Sequence, residues 1–363
     1  MRPIRISVTT IVFILICIGI VMIYSSSGIY AMQELGDKLY FLKRHVLFLC
    51  VGVGLALGTM SIDYRILQKY AKPILMGTLL LLLMVLIPGI GKESYGARRW
   101  FSVGSFYFQP SEFAKLSMLI YAADFLSRKQ NKIRNFIKGF LPLMLVTGII
   151  AGLILKQPDL GTAFLIGSVV FILIFIAGGR KKHMACLGVL ALPVFYLFVY
   201  KVPYRWRRII TFLDPWQDSQ GAGFQLTQSQ IALGSGGLFG VGLGKSLQKL
   251  FYLPAAHTDF ILSIIGEELG FIGSFTVIVL FICFIWQGAR IAKRTMDPFG
   301  YYMAIGIVAM IGLQALINIG VSIGALPTKG LTLPFVSYGG SALVVNMISV
   351  GLLLNISRIQ DLS

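Results

Sequence analysis

Charge is scarce in this chain. Asp, Glu, Lys and Arg make up 13% of its 363 residues, against about 25% in a soluble globular protein. That shortage excludes a soluble enzyme with one membrane anchor. Histidine is rarer still. His45, His183 and His257 are scattered, and none joins cysteines or carboxylates at metal-ligand spacing. The four cysteines, Cys17, Cys50, Cys186 and Cys283, all lie in apolar runs and form no CxxC. They read as buried thiols, with no disulfide framework and no metal site. Nucleotide motifs are missing as well. Residues 234–246 are glycine-rich and end in Gly-Lys-Ser, but Phe239 stands where the first glycine of a P-loop belongs. A Rossmann fingerprint is absent too.

What is abundant is apolar surface. Hydrophobic residues make up 56% of the chain, and the mean hydropathy is +0.82. Ten apolar runs lie near 8–24, 46–60, 74–90, 112–126, 139–155, 160–178, 183–200, 258–286, 299–324 and 336–356. At roughly 20 residues per span, ten spans would take about 200 residues, about 55% of the chain, which matches the apolar fraction. Open strands cannot satisfy their backbone in lipid. The expected fold is therefore an all-α polytopic membrane protein of about ten transmembrane helices, one domain over 1–363.

An even number of spans puts both ends on one side. The net charge of +18 decides which. Arg2, Arg5, Arg65, Lys69, Lys72, Arg128, Lys129, Lys132, Arg134, Lys138, Arg180, Lys181, Lys182, Arg290, Lys293, Arg294 and Arg358 fall on the side of the termini. The short loops opposite hold fewer. Basic residues resist translocation, so the termini are expected in the cytoplasm. This also explains the basic balance without a nucleic-acid partner. One large connection, 201–257, falls outside and breaks the trend. It carries Lys201, Arg205, Arg207, Arg208, Lys245 and Lys249 against Asp214 and Asp218. An excess of cations there suits an anionic ligand such as a phosphate group, or else anionic lipid headgroups.

Ionisable residues in spans are costly and mark function by default. Glu112 and Lys115 are three apart at the start of the fourth span, on one helix face. They suit a polar cavity or a structural ion pair. Lys156 and Asp159 flank a proline turn between the fifth and sixth spans. The alternative for that pair is a snorkelling lysine and an N-capping aspartate. Arg98 and Arg99 precede Trp100 in an outer loop, and paired guanidinium forks suit phosphate. Asp259 sits where the basic outer connection meets the eighth span. A carboxylate at such a boundary can act as a general base on a bound hydroxyl. The competing reading makes Thr258 the helix cap and Asp259 a complement to the helix dipole. Glu267 and Glu268 add acidity further along the same span.

Five stretches carry a resemblance over essentially the whole chain: 156–162 (KQPDLGT), 212–230 (FLDPWQDSQGAGFQLTQSQ), 231–244 (IALGSGGLFGVGLG), 257–273 (HTDFILSIIGEELGFIG) and 326–341 (LPTKGLTLPFVSYGGS). Together they resemble the SEDS family, the shape, elongation, division and sporulation proteins. FQLTQSQIALGSGG, KLFYLP and LPTKGLTLPF are written as in its FtsW/SpoVE branch more than in RodA. Ala255 departs from the usual Glu of a Pro-Glu-x-His-Thr-Asp-Phe run, and Ala342 replaces a frequent Ser.

The resemblance implies a peptidoglycan glycosyltransferase that polymerises lipid II at the outer face of the bacterial inner membrane, at the division septum. Asp259 would deprotonate the 4-hydroxyl of the acceptor sugar, and undecaprenyl diphosphate would leave the donor. The expected substrate-binding set is Arg98, Arg99, Glu112, Lys115, Lys156, Asp159, Arg207, Arg208, Gln225, His257, Lys329 and Ser337. No cofactor follows with certainty, and a divalent cation such as Mg2+ stays open. The implied partners are a class B penicillin-binding transpeptidase of the FtsI type, other divisome proteins and membrane lipids. A lipid II flippase is the alternative activity.

Overall fold

The computed structural model describes residues 1–94, 97–104, 106–221, 223–250, 252–254, 256–328 and 330–359. The ten apolar runs each become a helix. In chain order they are α1 (Arg2–Leu35), α2 (Tyr40–Ser61), α3 (Arg65–Met84), α4 (Pro110–Arg128), α5 (Leu141–Lys156), α6 (Leu160–Ile176) and α7 (Lys181–Phe195). Two further helices, α8 (Pro203–Leu213) and α9 (Phe224–Ser235), lie in the large connection; α10 (Ile261–Arg294), α11 (Pro298–Ser322) and α12 (Gly340–Ile359) follow it.

Seven helices are long and apolar enough to cross a membrane: α1, α2, α3, α5 with its preceding π turn, α10, α11 and α12. The other three runs fall short for identifiable reasons. Helix α6 is apolar but only 17 residues long. Helix α7 has 15 residues and runs on into a π-helical turn, Tyr196–Tyr200. Helix α4 carries Glu112, Lys115, Asp124 and Arg128.

The charge on α4 is tolerated because the helix is inside the protein. It packs against α3, α6 and α11, and Glu112, Lys115 and Asp124 are all buried. Helices α11 and α12 share this centre: 72% and 78% of their most apolar windows are buried, against 17% for α2 and 22% for α3. The apolar side chains of α2 and α3 therefore face outward, as a lipid-facing shell requires. Cys17, Cys50 and Cys186 are exposed on this outer surface rather than buried. A thiol on a lipid-facing helix is apolar in its surroundings without being in the core. Arg65, Lys69 and Lys72, expected in a loop, begin α3 instead, where long side chains can snorkel to the interface.

Strands were not expected, yet the outer connection between α3 and α4 forms a small antiparallel sheet: β1 (Lys92–Ser94), β2 (Ala97–Val103) and β3 (Phe106–Phe108), in the order β1-β2-β3. Phe101 pairs with Phe108 and Ser102 with Tyr107. A run this short gives no apolar periodicity strong enough to read.

Helix α10 is broken at Gly270, whose φ of 70° and ψ of −167° suit glycine alone. The break orphans backbone groups about 14 Å into the span, counted at 1.5 Å per residue. Residues 236–242 satisfy them. Phe271 N donates to Gly237 O at 2.8 Å and Ile272 N to Leu238 O at 3.3 Å. In return Val241 N donates to Glu267 O at 2.9 Å and Gly242 N to Glu268 O at 3.1 Å. The glycine-rich stretch is thus a re-entrant segment whose backbone pairs with the break in α10 while Leu238 and Phe239 stay exposed. Its glycines are a matter of space: a Cβ on Gly236 would lie 1.9 Å from Gly266 O, and one on Gly240 2.2 Å from Glu268 O.

The carboxylates Glu267 and Glu268 complete this join. Glu267 accepts from Leu247 N at 2.8 Å and from the Ser246 hydroxyl. Glu268 is paired with Lys249 Nζ at 2.7 Å, both buried, and also accepts from Ser25 Oγ of α1 at 2.7 Å. The acidity of this span therefore fastens the outer connection to the helix core.

Candidate functional site

Four segments distant in sequence are linked by hydrogen bonds and close contacts into one polar cluster that includes Asp259. The first is the turn before α10. Its cap position is Phe260, and no side chain caps the helix. The reading in which Thr258 serves as cap is not realised. Asp259 is half-buried. Its backbone carbonyl accepts from Asn318 Nδ2 of α11 at 2.8 Å.

The second segment is the extended stretch 330–338. Gly330 lies against the carboxylate: a Cβ there would be 3.4 Å from Asp259 Oδ2. Asn318 Nδ2 also donates to Leu331 O at 2.7 Å, and Tyr338 N donates to His257 O at 2.9 Å. Ser337 is buried and its hydroxyl accepts from Leu333 N at 2.9 Å. Between them Phe335 is held at a φ of 66°, an uncommon conformation for a bulky residue. Gly19 of α1 makes room for this turn, since a Cβ there would lie 2.7 Å from Phe335 O.

The third segment is the start of α4. Lys115 Nζ and Glu112 Oε2 are 2.7 Å apart, with side chains 1% and 8% exposed. Lys115 also donates to Gln314 Oε1 at 2.8 Å, and Gln314 Nε2 donates to Thr332 O at 2.9 Å. The ion pair is thereby linked to the stretch that faces Asp259. The fourth is the turn before α6. Asp159 caps α6 by accepting from Thr162 N at 3.0 Å. Its other oxygen accepts from Ser111 Oγ at 3.3 Å and Gln109 Nε2 at 3.4 Å. Capping and connection to the polar cluster coexist in one side chain.

His257 sits in an aromatic cage, its ring centroid 4.6 Å from Phe41, 5.9 Å from Tyr338 and 6.0 Å from Tyr30. Burial pushes its pKa down to about 4, so the imidazole is neutral at neutral pH and offers no positive charge to an anion.

Of the described cations expected from the sequence, Lys115 lies in this cluster and the others are exposed or engaged elsewhere. Arg98 pairs with Glu93 at 3.1 Å. Arg99 donates to Gln157 O at 2.7 Å and Pro158 O at 2.6 Å, tying β2 to the turn before α6. Lys156 ends α5 and is exposed. Arg207 on α8 pairs with Asp218 at 2.6 Å, both well exposed. Gln225 is half-buried on α9, which packs on α10 and α11. Lys329, Ala255 and the side chain of Arg208 lie outside the described residues.

Several members of the cluster escaped sequence reasoning. Gln314 and Asn318 are buried amides four apart in an otherwise apolar span. That spacing was the available signal, because a polar side chain in a membrane helix needs a partner. Arg44, stacked 4.4 Å over Tyr40 and 5.9 Å from Tyr107, adds a cation to the rim.

Among the described residues no three His, Cys, Asp or Glu side chains converge as a metal cage. The donor set does not fit a resident divalent ion. An apolar groove of about 460 Å³ runs between α6, α10 and α11, lined by residues such as Ile176, Ala289, Tyr301 and Leu316. It lies toward the Lys293 end of α10, remote along the helix from Asp259, and is separate from the polar cluster.

The family model described as cell cycle protein, covering FtsW, RodA and SpoVE, matches residues 5–362. A probable peptidoglycan glycosyltransferase FtsW of Geobacter metallireducens is 48% identical over 343 residues, 94% of this chain and 92% of that one. The stage V sporulation protein E of Bacillus subtilis is 45% identical over 348 residues, 96% and 95% of the two chains. Among solved structures, a chain from a peptidoglycan synthase complex that coordinates polymerization and crosslinking superposes with a TM-score of 0.80 at 29% identity, covering 97% of both chains. The rod shape determining protein RodA of Thermus thermophilus gives 0.72 at 29% identity, covering 97% and 96%.

Proposed function

This chain belongs to the family of FtsW, RodA and SpoVE cell cycle proteins, and from that membership we propose that it is a peptidoglycan glycosyltransferase. It joins the disaccharides of lipid II into glycan strands at the outer face of the cytoplasmic membrane. Asp259 is the general base. Its carboxylate takes the proton of the acceptor's 4-hydroxyl as that oxygen attacks the anomeric carbon of the donor. The bond from that carbon to the phosphate oxygen breaks, and undecaprenyl diphosphate leaves with the electron pair. Arg98, Arg99, Lys156 and Arg207, with Arg208 and Lys329 assigned from the sequence alone, are the cations proposed to meet the negative charge of the diphosphate with donors not used in their present contacts. Gln225, His257 and Ser337 complete the proposed substrate-binding set, with His257 acting as a neutral ring and Ser337 through the turn it holds.

The observation that carries this reading is the seating of Asp259. It is half-buried where the basic outer connection meets α10, with its Oδ2 against a glycine of a second segment. A carboxylate so placed is partly open to solvent, and Asn318 and the 330–338 segment fix the backbone that carries it. Glu112, Lys115 and Asp159 serve as the polar floor that shapes the site.

The proposed partner is a class B penicillin-binding transpeptidase, which would crosslink the strands as they form. Cytoplasmic termini follow from the basic loops, and the septum is the proposed location. The deciding assay is polymerisation of purified lipid II in detergent by the protein with its transpeptidase. Wild type is expected to make long glycan strands and Asp259→Ala none. No polymer from the wild type, together with transfer of labelled lipid II across vesicles, would replace this reading with that of a flippase.

A further inference from the structure

The turn that carries Asp259 is tied to helix α11 as well as to the segment 330–338. Asn318 Nδ2 bonds two carbonyl oxygens at once, Asp259 O at 2.8 Å and Leu331 O at 2.7 Å. An amide nitrogen carries two hydrogens, so this side chain is saturated as a donor by two segments 72 residues apart in sequence. We propose that Asn318 is a positioning residue for the reaction, holding the base-bearing turn against the stretch that begins at Gly330. This rests on the glycosyltransferase reading given above.

Three features support the assignment. First, Asn318 is 2% exposed on one of the most buried helices. Burying an amide there is costly; its two N–H groups are both bonded while Oδ1 has no hydrogen-bond partner, so the side chain's role falls on its donors. Second, the two carbonyls it joins flank the carboxylate. Leu331 follows Gly330, which lies against Asp259 Oδ2, so tying residue 259 to residue 331 sets the carboxylate relative to Gly330. Third, the arrangement repeats one turn away. Gln314 donates to Thr332 O and accepts from Lys115. Helix α11 thus presents two amides that pin the consecutive residues Leu331 and Thr332, and of the two Asn318 also reaches the base-bearing turn. Removing its N–H groups leaves two carbonyl oxygens facing each other with no donor between them, and the turn is free to shift. A displacement of about 1 Å costs roughly 100-fold in an oriented reaction.

The test compares Asn318→Ala and the isosteric Asn318→Asp with Asn355→Ala. Asn355 is an equally buried amide at the cytoplasmic end, where its Nδ2 donates to Met60 O at 2.8 Å. Each variant is purified with the transpeptidase, its folded fraction is measured, and lipid II polymerisation is followed over substrate concentration and pH. Both Asn318 variants are expected to lose roughly 10- to 100-fold in kcat per folded molecule. Their KM for lipid II should stay within about threefold, and the acidic limb of the pH–rate profile should move. Asn355→Ala should lose stability while keeping kcat and the pH profile. If the Asn318 variants match Asn355→Ala in kcat per folded molecule and in pH profile, the residue is only structural and the proposal is overturned. If wild type itself makes no polymer, the glycosyltransferase reading fails and takes this inference with it.

Discussion

Replacing Lys249 by Met should loosen the outer connection from the helix core. Lys249 Nζ and Glu268 Oε1 are 2.7 Å apart, and their side chains are 3% and 0% exposed. The pair gathers three elements, because Ser25 Oγ of α1 donates to the same carboxylate and Lys249 Nζ also reaches Ser25 Oγ at 3.1 Å. Met keeps much of the length and removes the charge. Glu268 is then a buried carboxylate with one hydroxyl for company. Breaking a buried pair from one side costs about 3–5 kcal/mol. Removing both charges, as in Lys249→Met with Glu268→Gln, leaves no uncompensated ion and should recover most of that loss. The coupling from the double-mutant cycle should therefore exceed about 2 kcal/mol. Unfolding of the detergent-solubilised protein measures the global effect. Limited proteolysis within 236–250 reports the local one, since that segment leans on Glu267 and Glu268. An unchanged stability for Lys249→Met, or a double variant as unstable as the sum of the singles, would refute the claim that this pair is held as a desolvated unit.

Gly270→Ala should destabilise the protein by about 1–3 kcal/mol from backbone conformation alone, and by more because its Cβ would meet Gly240 N and Leu238 O at 2.4 Å; Gly54→Ala, with open space around it in α2, should be neutral in the same unfolding measurement. The burial of His257 sets a pH dependence with a defined sign. Its pKa is about 4 in the folded protein and 6.5 when solvated, so the unfolded chain binds the proton first as pH falls. Stability is full above about pH 6.5 and is lost progressively down to about pH 4, by about 3 kcal/mol for this group. His257→Phe should flatten that part of the curve, and an identical pH slope in the two proteins would count against a buried neutral imidazole.

Asp259 illustrates how far the linear chain can be read. Its position at the border of a basic stretch and an apolar run was visible from residue types alone, as were the apolar runs that become helices. Water and hydrocarbon sort side chains by one-dimensional pattern, and a membrane span needs only local composition to declare itself. The same logic exposed Glu112 and Lys115, because a charge in an apolar run stands out wherever it falls.

What local pattern does not encode is which distant groups meet. Glu267 and Glu268 looked like additional acidity near a site, and folding turns them into anchors for the re-entrant glycine segment. Arg98, Arg99 and Arg207 looked like free cations, and folding engages each with a carboxylate or a carbonyl. Asn318 and Gln314 drew no notice, yet they stitch the strand beside Asp259 to α11. The residue types along the chain determined that this is a helical membrane protein with a carboxylate at the edge of an apolar run. Only the tertiary structure decided which polar groups are spent on one another, because a polar group buried among helices is costly unless it is bonded, and its partner is usually far away in sequence.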